Sequence, residues 1–114
     1  MSPRPRNTPL PGRPVRGSRS GRPVMALLDL LGRRWVLRIL WELHERPADS
    51  FRDLQRRCGE LSSSVLSERL RELREAGIVA AGEPNGYTLT QSGRSLLRAL
   101  QPIDEWAARW ARRH

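Results

Sequence analysis

The chain has no lysine, and it holds only one cysteine, one tyrosine and one phenylalanine in 114 residues. A lone cysteine excludes an intramolecular disulfide framework and a cysteine-based metal cluster. No apolar run approaches the roughly 18 residues of a membrane span. The N-terminus is basic without an apolar core, which argues against a secretory signal. No Gly-rich phosphate loop or metal-ligand spacing occurs, and neither His44 nor His114 has a nucleophile motif beside it. The expectation is a non-enzymatic protein with no cofactor, no metal and no membrane partner, residing in the reducing cytoplasm.

What the chain has is arginine. All 21 basic residues are Arg, against 12 acidic ones, for a net charge of +9 and an isoelectric point near 11.6. A small, strongly basic chain points first to nucleic acid and second to an anionic membrane surface. Arg suits bidentate phosphate and guanine contacts, but the total absence of Lys fits GC-rich codon usage better than selection at each site.

Residues 1–22 contain six Arg, five Pro, three Gly and no acid, so they carry six of the nine net charges. Proline at this density opposes helix and sheet, and the predicted state is a disordered tail. It reads either as a passive solvated extension or as an arm that follows phosphates. The domain proper spans 23–114. Pro23 suits a first helical turn, and Val24, Leu27, Leu28 and Leu31 give a short first helix ending at Gly32. Trp35, Val36, Ile39, Leu40 and Leu43 share one face of a second helix, which Pro47 stops. Ser50 and Asp53 form a capping-box-like start for a third, with Phe51, Leu54 and Cys58 on one face. Cys58 thus reads as a core residue, with a redox role as the minor alternative.

A tight connection, Gly59-Glu60-Leu61, leads into the stretch 61–79. Ser62 is placed as an N-cap. Leu66, Leu70 and Leu73 repeat at i, i+4 and i+7, and Gly77 takes the C′ position. The opposite face carries Ser64, Ser67, Glu68, Arg71 and Glu75. Taken alone this is either a surface helix or a helix that enters a major groove. A hairpin follows, with Ile78–Ala81 and Tyr87–Leu89 as strands and Asn85-Gly86 at the turn. Its tip, residues 83–86, has no basic residue. Thr90 caps a last helix whose Leu96, Leu100, Ile103, Ala107 and Trp110 are spaced 4, 3, 4, 3, with Leu97 and Trp106 widening the seam. Pro102 is expected to kink or interrupt it near Leu100. Terminal indoles with little chain left to cover them favour a dimer; packing back on the first helix is the alternative.

The whole is mainly α with a small β-hairpin: a winged helix-turn-helix. The order of motifs resembles the HxlR-type winged helix-turn-helix regulators, relatives of the MarR type. Leu31-Gly32-Arg33-Arg34-Trp35 with Ile39–Leu43 is similar to that family's opening. Phe51–Leu54, Leu61–Leu73, Glu75–Val79 and Tyr87–Leu96 follow in matching order and spacing, and Trp106 falls where the family has a terminal Trp. The likeness covers 23 to about 112. It implies a two-fold dimer through the first and last helices, with the serine-rich helix reading a pseudo-palindromic operator in transcriptional control. Three features depart from the pattern. Arg22 stands where the family often has a Cys before Pro23-Val24, which some members use for sensing, the hairpin is short and non-basic, and the Arg/Pro tail has no counterpart.

The expected partner is double-stranded DNA on the nucleoid. Candidate DNA contacts are Ser62, Ser63, Ser64, Ser67, Glu68 and Arg71, with Arg69 and Arg74 as further candidates and Arg52, Arg56 and Arg57 as backbone clamps. Glu68 reads either as a cytosine contact or as a surface ion pair. Candidate dimer residues are Leu27, Leu28, Leu96, Leu100, Ile103, Trp106 and Trp110, and the apolar seam leaves room for an unidentified small-molecule effector. The alternatives are a winged-helix protein-interaction module and a non-specific DNA-binding protein.

Overall fold

The computed structural model describes residues 8–114, and expectations for 1–7 lie outside it. Five helices and one hairpin follow in the order α1 (Pro23–Leu31), α2 (Val36–Glu45), α3 (Phe51–Arg57), α4 (Ser63–Glu75), β1 (Val79–Gly82), β2 (Gly86–Leu89) and α5 (Gln91–Arg112). The expected fold class, mainly α with a small hairpin, is the one observed.

Local chemistry explains most of the boundaries. Ser50 Oγ accepts from the Asp53 amide at 2.9 Å, while Asp53 Oδ2 accepts from the Asp49 amide at 3.1 Å. The reciprocal box therefore closes on residue 49 rather than 50. The Asp49 amide, with the Arg46 and Arg57 charges, holds the Asp53 carboxyl below the usual aspartate range against the opposing effect of burial. Ser62 Oγ caps α4 by accepting from the Val65 amide at 3.2 Å. At the other end Gly77 is left-handed, φ +77°. Its amide reaches Arg74 O and that of Ile78 reaches Leu73 O, both at 3.0 Å, which is a Schellman stop. Thr90 Oγ1 accepts from the Gly93 amide at 3.0 Å and donates to Gly77 O at 2.6 Å. One hydroxyl thus joins the end of α4 to the start of α5.

The hairpin pairs Val79 with Leu89 and Gly82 with Gly86, leaving Glu83-Pro84-Asn85 at the tip. Ala48 adds a third, one-residue rung: its amide and carbonyl exchange hydrogen bonds with Tyr87, both 2.9 Å. A Cβ on Gly86 would lie 1.9 Å from the Ala48 carbonyl oxygen, so only glycine lets these backbones approach. This rung, before α3, was invisible in a stretch that carries no strand pattern.

The core joins Val36, Ile39, Leu40 and Leu43 of α2 to Leu54, Cys58, Leu66, Leu70 and Leu73, and is closed by Ile78, Val79, Leu89 and Leu97. In α1 the apolar stripe is rotated from the one expected. Ala26, Leu30 and Leu31 are buried and Leu27 is half-buried, but Val24 and Leu28 are 53% and 55% exposed. The helix PVMALLDLL has apolar residues at almost every position, so periodicity alone leaves the buried side undetermined. The last helix runs through Pro102 without interruption over its 22 residues, so of the kink or interruption expected there the interruption does not occur.

Residues 8–22 also differ from the disordered tail that was expected. Gly12 donates to Gly21 O at 3.0 Å, and Val15 and Ser18 exchange two backbone bonds of 2.9 and 3.0 Å. This hairpin-like turn docks on the domain: the Arg16 amide donates to Asp29 Oδ2 at 3.2 Å, and Thr8 is fully buried. Proline blocks regular structure but not turns, and the composition argument missed a segment anchored by side chains far away in sequence.

The orientation of α4 rests on a buried carboxylate. Glu72 is 1% exposed and lies 2.8 Å from Arg33 Nη1 and 2.6 Å from Arg69 Nη1. Arg69 Nε also donates to Arg34 O at 2.9 Å. The turn between α1 and α2 is thereby tied to the middle of α4. Glu72→Ala should lower unfolding free energy by about 2–3 kcal/mol in urea titration, since it removes the carboxylate that two partly buried guanidinium groups share. A loss below about 0.5 kcal/mol would show the cluster to be dispensable.

Candidate nucleic-acid interface

Helix α4 has a leucine side against the core and a polar side in solvent. Ser63, Ser64, Ser67 and Arg74 are exposed, and Glu68 and Arg71 are half-exposed. The alternation follows from 100° per residue, which puts Ser64, Ser67, Arg71 and Arg74 on one arc opposite Leu66 and Leu73. α3 and the hairpin flank this arc. Together they enclose an open groove of about 690 Å³ lined by Phe51, Ser67, Arg71, Arg74, Glu75 and Tyr87.

The serines have different duties. Ser62 Oγ is committed to the cap. Ser63 Oγ accepts from Gln55 Nε2 at 3.0 Å, and the same amide donates to Leu61 O at 2.8 Å, which sets the turn between α3 and α4. Ser64 Oγ lies 3.3 Å from Ser62 Oγ. Ser67 is exposed, with no partner recorded among the described residues. The sequence groups four serines as equals, whereas the geometry leaves Ser64 and Ser67 as the freer pair.

Arg71 sits at the centre of the exposed arc, held between two carboxylates. Its Nη2 is 2.6 Å from Glu68 Oε1 and its Nη1 is 3.1 Å from Glu75 Oε2. The Glu68 hydrogen bond is the main reason that its pKa is raised further above the ordinary arginine value. Thr8 Oγ1 donates to Glu75 Oε2 at 2.7 Å, and Arg71 Nη1 reaches Thr8 Oγ1 at 3.5 Å. Glu68 therefore pairs on the protein surface in this state, one of its two expected roles.

The other arginines divide in a way that their sequence positions did not reveal. Arg69 is spent on Glu72 and the Arg34 carbonyl. Arg57 is almost fully covered and donates to the carbonyls of Glu42, Arg46 and Pro47, with Asp53 3.5 Å away; it closes the C-terminus of α2. Arg52 is exposed, 3.0 Å from Glu60 and 3.1 Å from Gln55 Oε1. Arg56 and Arg74 are exposed and have no ion pair recorded among the described residues. Neither Glu72 nor Arg33 has a role assigned from the sequence alone. An acidic residue one position from the leucine stripe was the available signal.

Cys58 is buried, and burial, with Glu42 adding to it, pushes its thiol pKa up. A thiol so placed is protonated at neutral pH and is a poor nucleophile. Among the described residues no group of His, Cys, Asp and Glu is arranged to hold a metal ion. No helix of the described chain is long and apolar enough to cross a membrane.

The far half of α5 is the other outlying feature. Ile103, Trp106 and Trp110 are 61%, 57% and 52% exposed. The two indoles stack on each other with centroids 6.1 Å apart at 15°, and His114 lies 5.5 Å from Trp110. Of the remaining candidate interface residues, Leu27, Leu96 and Leu100 are half-buried against the core.

Known proteins share this arrangement. The HxlR-like helix-turn-helix family model matches residues 30–114. The HTH-type transcriptional regulator YvaP of Bacillus subtilis is 35% identical over 89 residues, which span 73% of this chain and 82% of that protein. The regulator YodB of the same organism is 33% identical over 85 residues, 69% of this chain and 75% of its own length. The crystal structure of quinone-bound YodB superposes with a TM-score of 0.69 at 31% identity, over 75% of this chain and 96% of that one. An HxlR family factor from Thermoplasma volcanium superposes at 0.63 with 27% identity, over 75% and 82%. These relatives are regulators rather than enzymes. With its helices, hairpin and motif order matched from Leu30 to the C-terminus, the chain belongs to the HxlR-like helix-turn-helix family of transcriptional regulators.

Proposed function

We propose that the protein binds double-stranded DNA sequence-specifically as a homodimer, with α4 in the major groove of each half of a pseudo-palindromic operator. The observation that carries this reading is the polar arc of α4, Ser64, Ser67, Arg71 and Arg74, held rigidly on a leucine base between α3 and the hairpin. The small serines allow close approach, and their hydroxyls serve base edges or phosphates. At the N-terminus of α4 the helix dipole favours a phosphate beside Ser62 and Ser63. Arg52 and Arg56 on α3 are suited to the backbone on one flank. The hairpin tip contributes no positive charge, so its share is confined to backbone groups.

A two-fold axis through α1 and α5 brings two copies of α4 about 34 Å apart, one helical turn of DNA. Support for the axis comes from α5, about 33 Å long at 1.5 Å per residue, whose outer half exposes Ile103, Trp106 and Trp110, while α1 exposes Leu28. Between α1, α5 and the Pro9–Pro11 segment an apolar hollow of about 210 Å³, bordered by Leu27, Leu30 and Leu96, is the place for a small-molecule effector. A protein of this kind works in the cytoplasm, on the nucleoid. Binding-site selection with purified protein tests the whole reading. A recovered palindrome supports it, and recovery of no preferred sequence defeats it in favour of a non-specific binder or a protein-interaction module.

On the selected site, Arg71→Ala should weaken binding by about 1–3 kcal/mol, measured by fluorescence anisotropy; an equal loss on unrelated DNA would make Arg71 a phosphate contact only. Glu68→Gln should tighten binding to all sequences several-fold, because it removes a carboxylate that both competes for Arg71 and repels DNA. Relaxed selectivity at a single cytosine instead would assign Glu68 to base reading. Replacing Trp106 and Trp110 together by Ala should raise the dimer dissociation constant at least tenfold in sedimentation velocity, as buried aromatic anchors dominate interfaces. An unchanged constant would place the dimer contact elsewhere.

A further inference from the structure

Helix α4 has a groove on each side. One is lined by the hairpin of β1 and β2 with Phe51 of α3. The other, about 580 Å³, lies between the N-terminal segment, α1 and the turn before α2, and is bordered by Arg16, Asp29, Arg33, Arg34 and Arg69. Four arginines meet there, with Asp29 as the one carboxylate at its rim and Glu72 beneath Arg33 and Arg69. The two sides differ in charge. The strand hairpin presents Glu83 and no basic residue at its tip. The N-terminal hairpin carries Arg13, Arg16, Arg19 and Arg22 at every third position, all exposed.

This N-terminal turn is anchored to the reading helix. Arg13 Nη2 lies 3.8 Å from Glu75 Oε1, and its Nη1 donates to Thr8 O at 3.5 Å. Thr8 in turn holds the Glu75 carboxylate that pairs with Arg71. At the other end the Arg16 amide is fixed on Asp29 of α1. No ion pair is recorded among the described residues for the side chains of Arg16, Arg19 and Arg22. A docked turn with unspent arginines loses little conformational freedom when it meets a polyanion, unlike a free arm.

Building on the DNA-binding reading above, we infer that residues 12–22 form a second, N-terminal wing whose Arg16, Arg19 and Arg22 grip DNA phosphates beside the half-site. It takes the backbone role that the short, non-basic strand hairpin leaves unfilled. Its contacts are with the phosphodiester chain, so they add affinity and salt sensitivity without sequence preference. Its base, through Thr8 and Glu75, keeps Arg71 oriented on the adjoining face.

The test is a full-length R16Q/R19Q/R22Q variant, titrated against the selected operator and an unrelated duplex from 50 to 300 mM salt. A charge-matched control, R98Q/R112Q/R113Q, removes two charges on α5 and the one that follows it. Each lost phosphate contact lowers the slope of log affinity against log salt by about 0.9. The N-terminal variant should therefore lose about 2 to 3 in slope and at least tenfold in affinity at 100 mM salt, with its operator-to-random ratio unchanged. The control should keep the slope. An unchanged slope in the N-terminal variant, or an equal fall in the control, overturns the second wing while leaving operator binding by the wild type intact. A wild type that binds no DNA overturns the underlying reading instead. Thermal melting of all three proteins identifies any loss of fold, and single replacements of Arg16 and Arg19 then carry the comparison.

Discussion

Everything that α4 presents to solvent depends on a carboxylate that solvent does not reach. Glu72 is buried beside the leucine stripe of the helix and meets Arg33 of the α1–α2 turn and Arg69 of its own helix. A buried ion is costly unless its acceptor sites are filled, so this cluster admits few other arrangements. Rotating α4 about its axis would strand the carboxylate, and shifting the α1–α2 turn would withdraw Arg33 from it. The cluster thereby specifies the angle at which the serine and arginine arc faces outward. The same turn holds Trp35 at φ 77°, uncommon for a bulky residue, with the Arg34 guanidinium 5.8 Å above its ring.

Around this point polar groups are matched closely. No buried side-chain nitrogen or oxygen among the described residues lacks a hydrogen-bond partner. Ser50, Ser62 and Thr90 cap three of the five helices, and Arg57 closes the C-terminus of a fourth, α2, whose last carbonyls would otherwise be orphaned. These links are short-range in effect but join separate elements: Gln55 connects α3 to α4, and Thr90 connects α4 to α5. The helix-turn-helix unit is therefore held by polar contacts as well as by its leucines.

The positive charge is not one uniform field. Arg33, Arg57 and Arg69 are engaged in holding the protein together, and Arg71 is balanced by Glu68 and Glu75. The exposed charge left over lies on α3, on Arg74 and on the N-terminal turn, around α4, and separately along α5. A balanced Arg71 contributes less to indiscriminate attraction than a bare one, because approach to a phosphate or base must exchange existing partners.

Much of the architecture was legible from the residues alone. Leucine spacing at i, i+4 and i+7, serine or threonine before α3, α4 and α5, and Gly77 after α4 specify local structure through backbone chemistry, which needs no distant partner; the Asn85-Gly86 signal marked the hairpin, but Gly86 is the first residue of β2 rather than part of the turn. The series of motifs from Leu31 to Trp106 carried the family in the same way. What only the tertiary structure decided were choices between near-equal local options. The all-apolar α1 could bury any stripe until Ala26 and Leu30 met the core. The arginines of α3 and α4 looked equivalent until Glu72, Glu42 and the α2 carbonyls claimed some of them. The proline-rich start had no local reason to order until Thr8 met Glu75 and the Arg16 amide met Asp29. Local sequence determines which backbone shapes are accessible. Which polar side chains are spent on the fold, and which remain for a partner, is set by contacts between residues up to 67 positions apart.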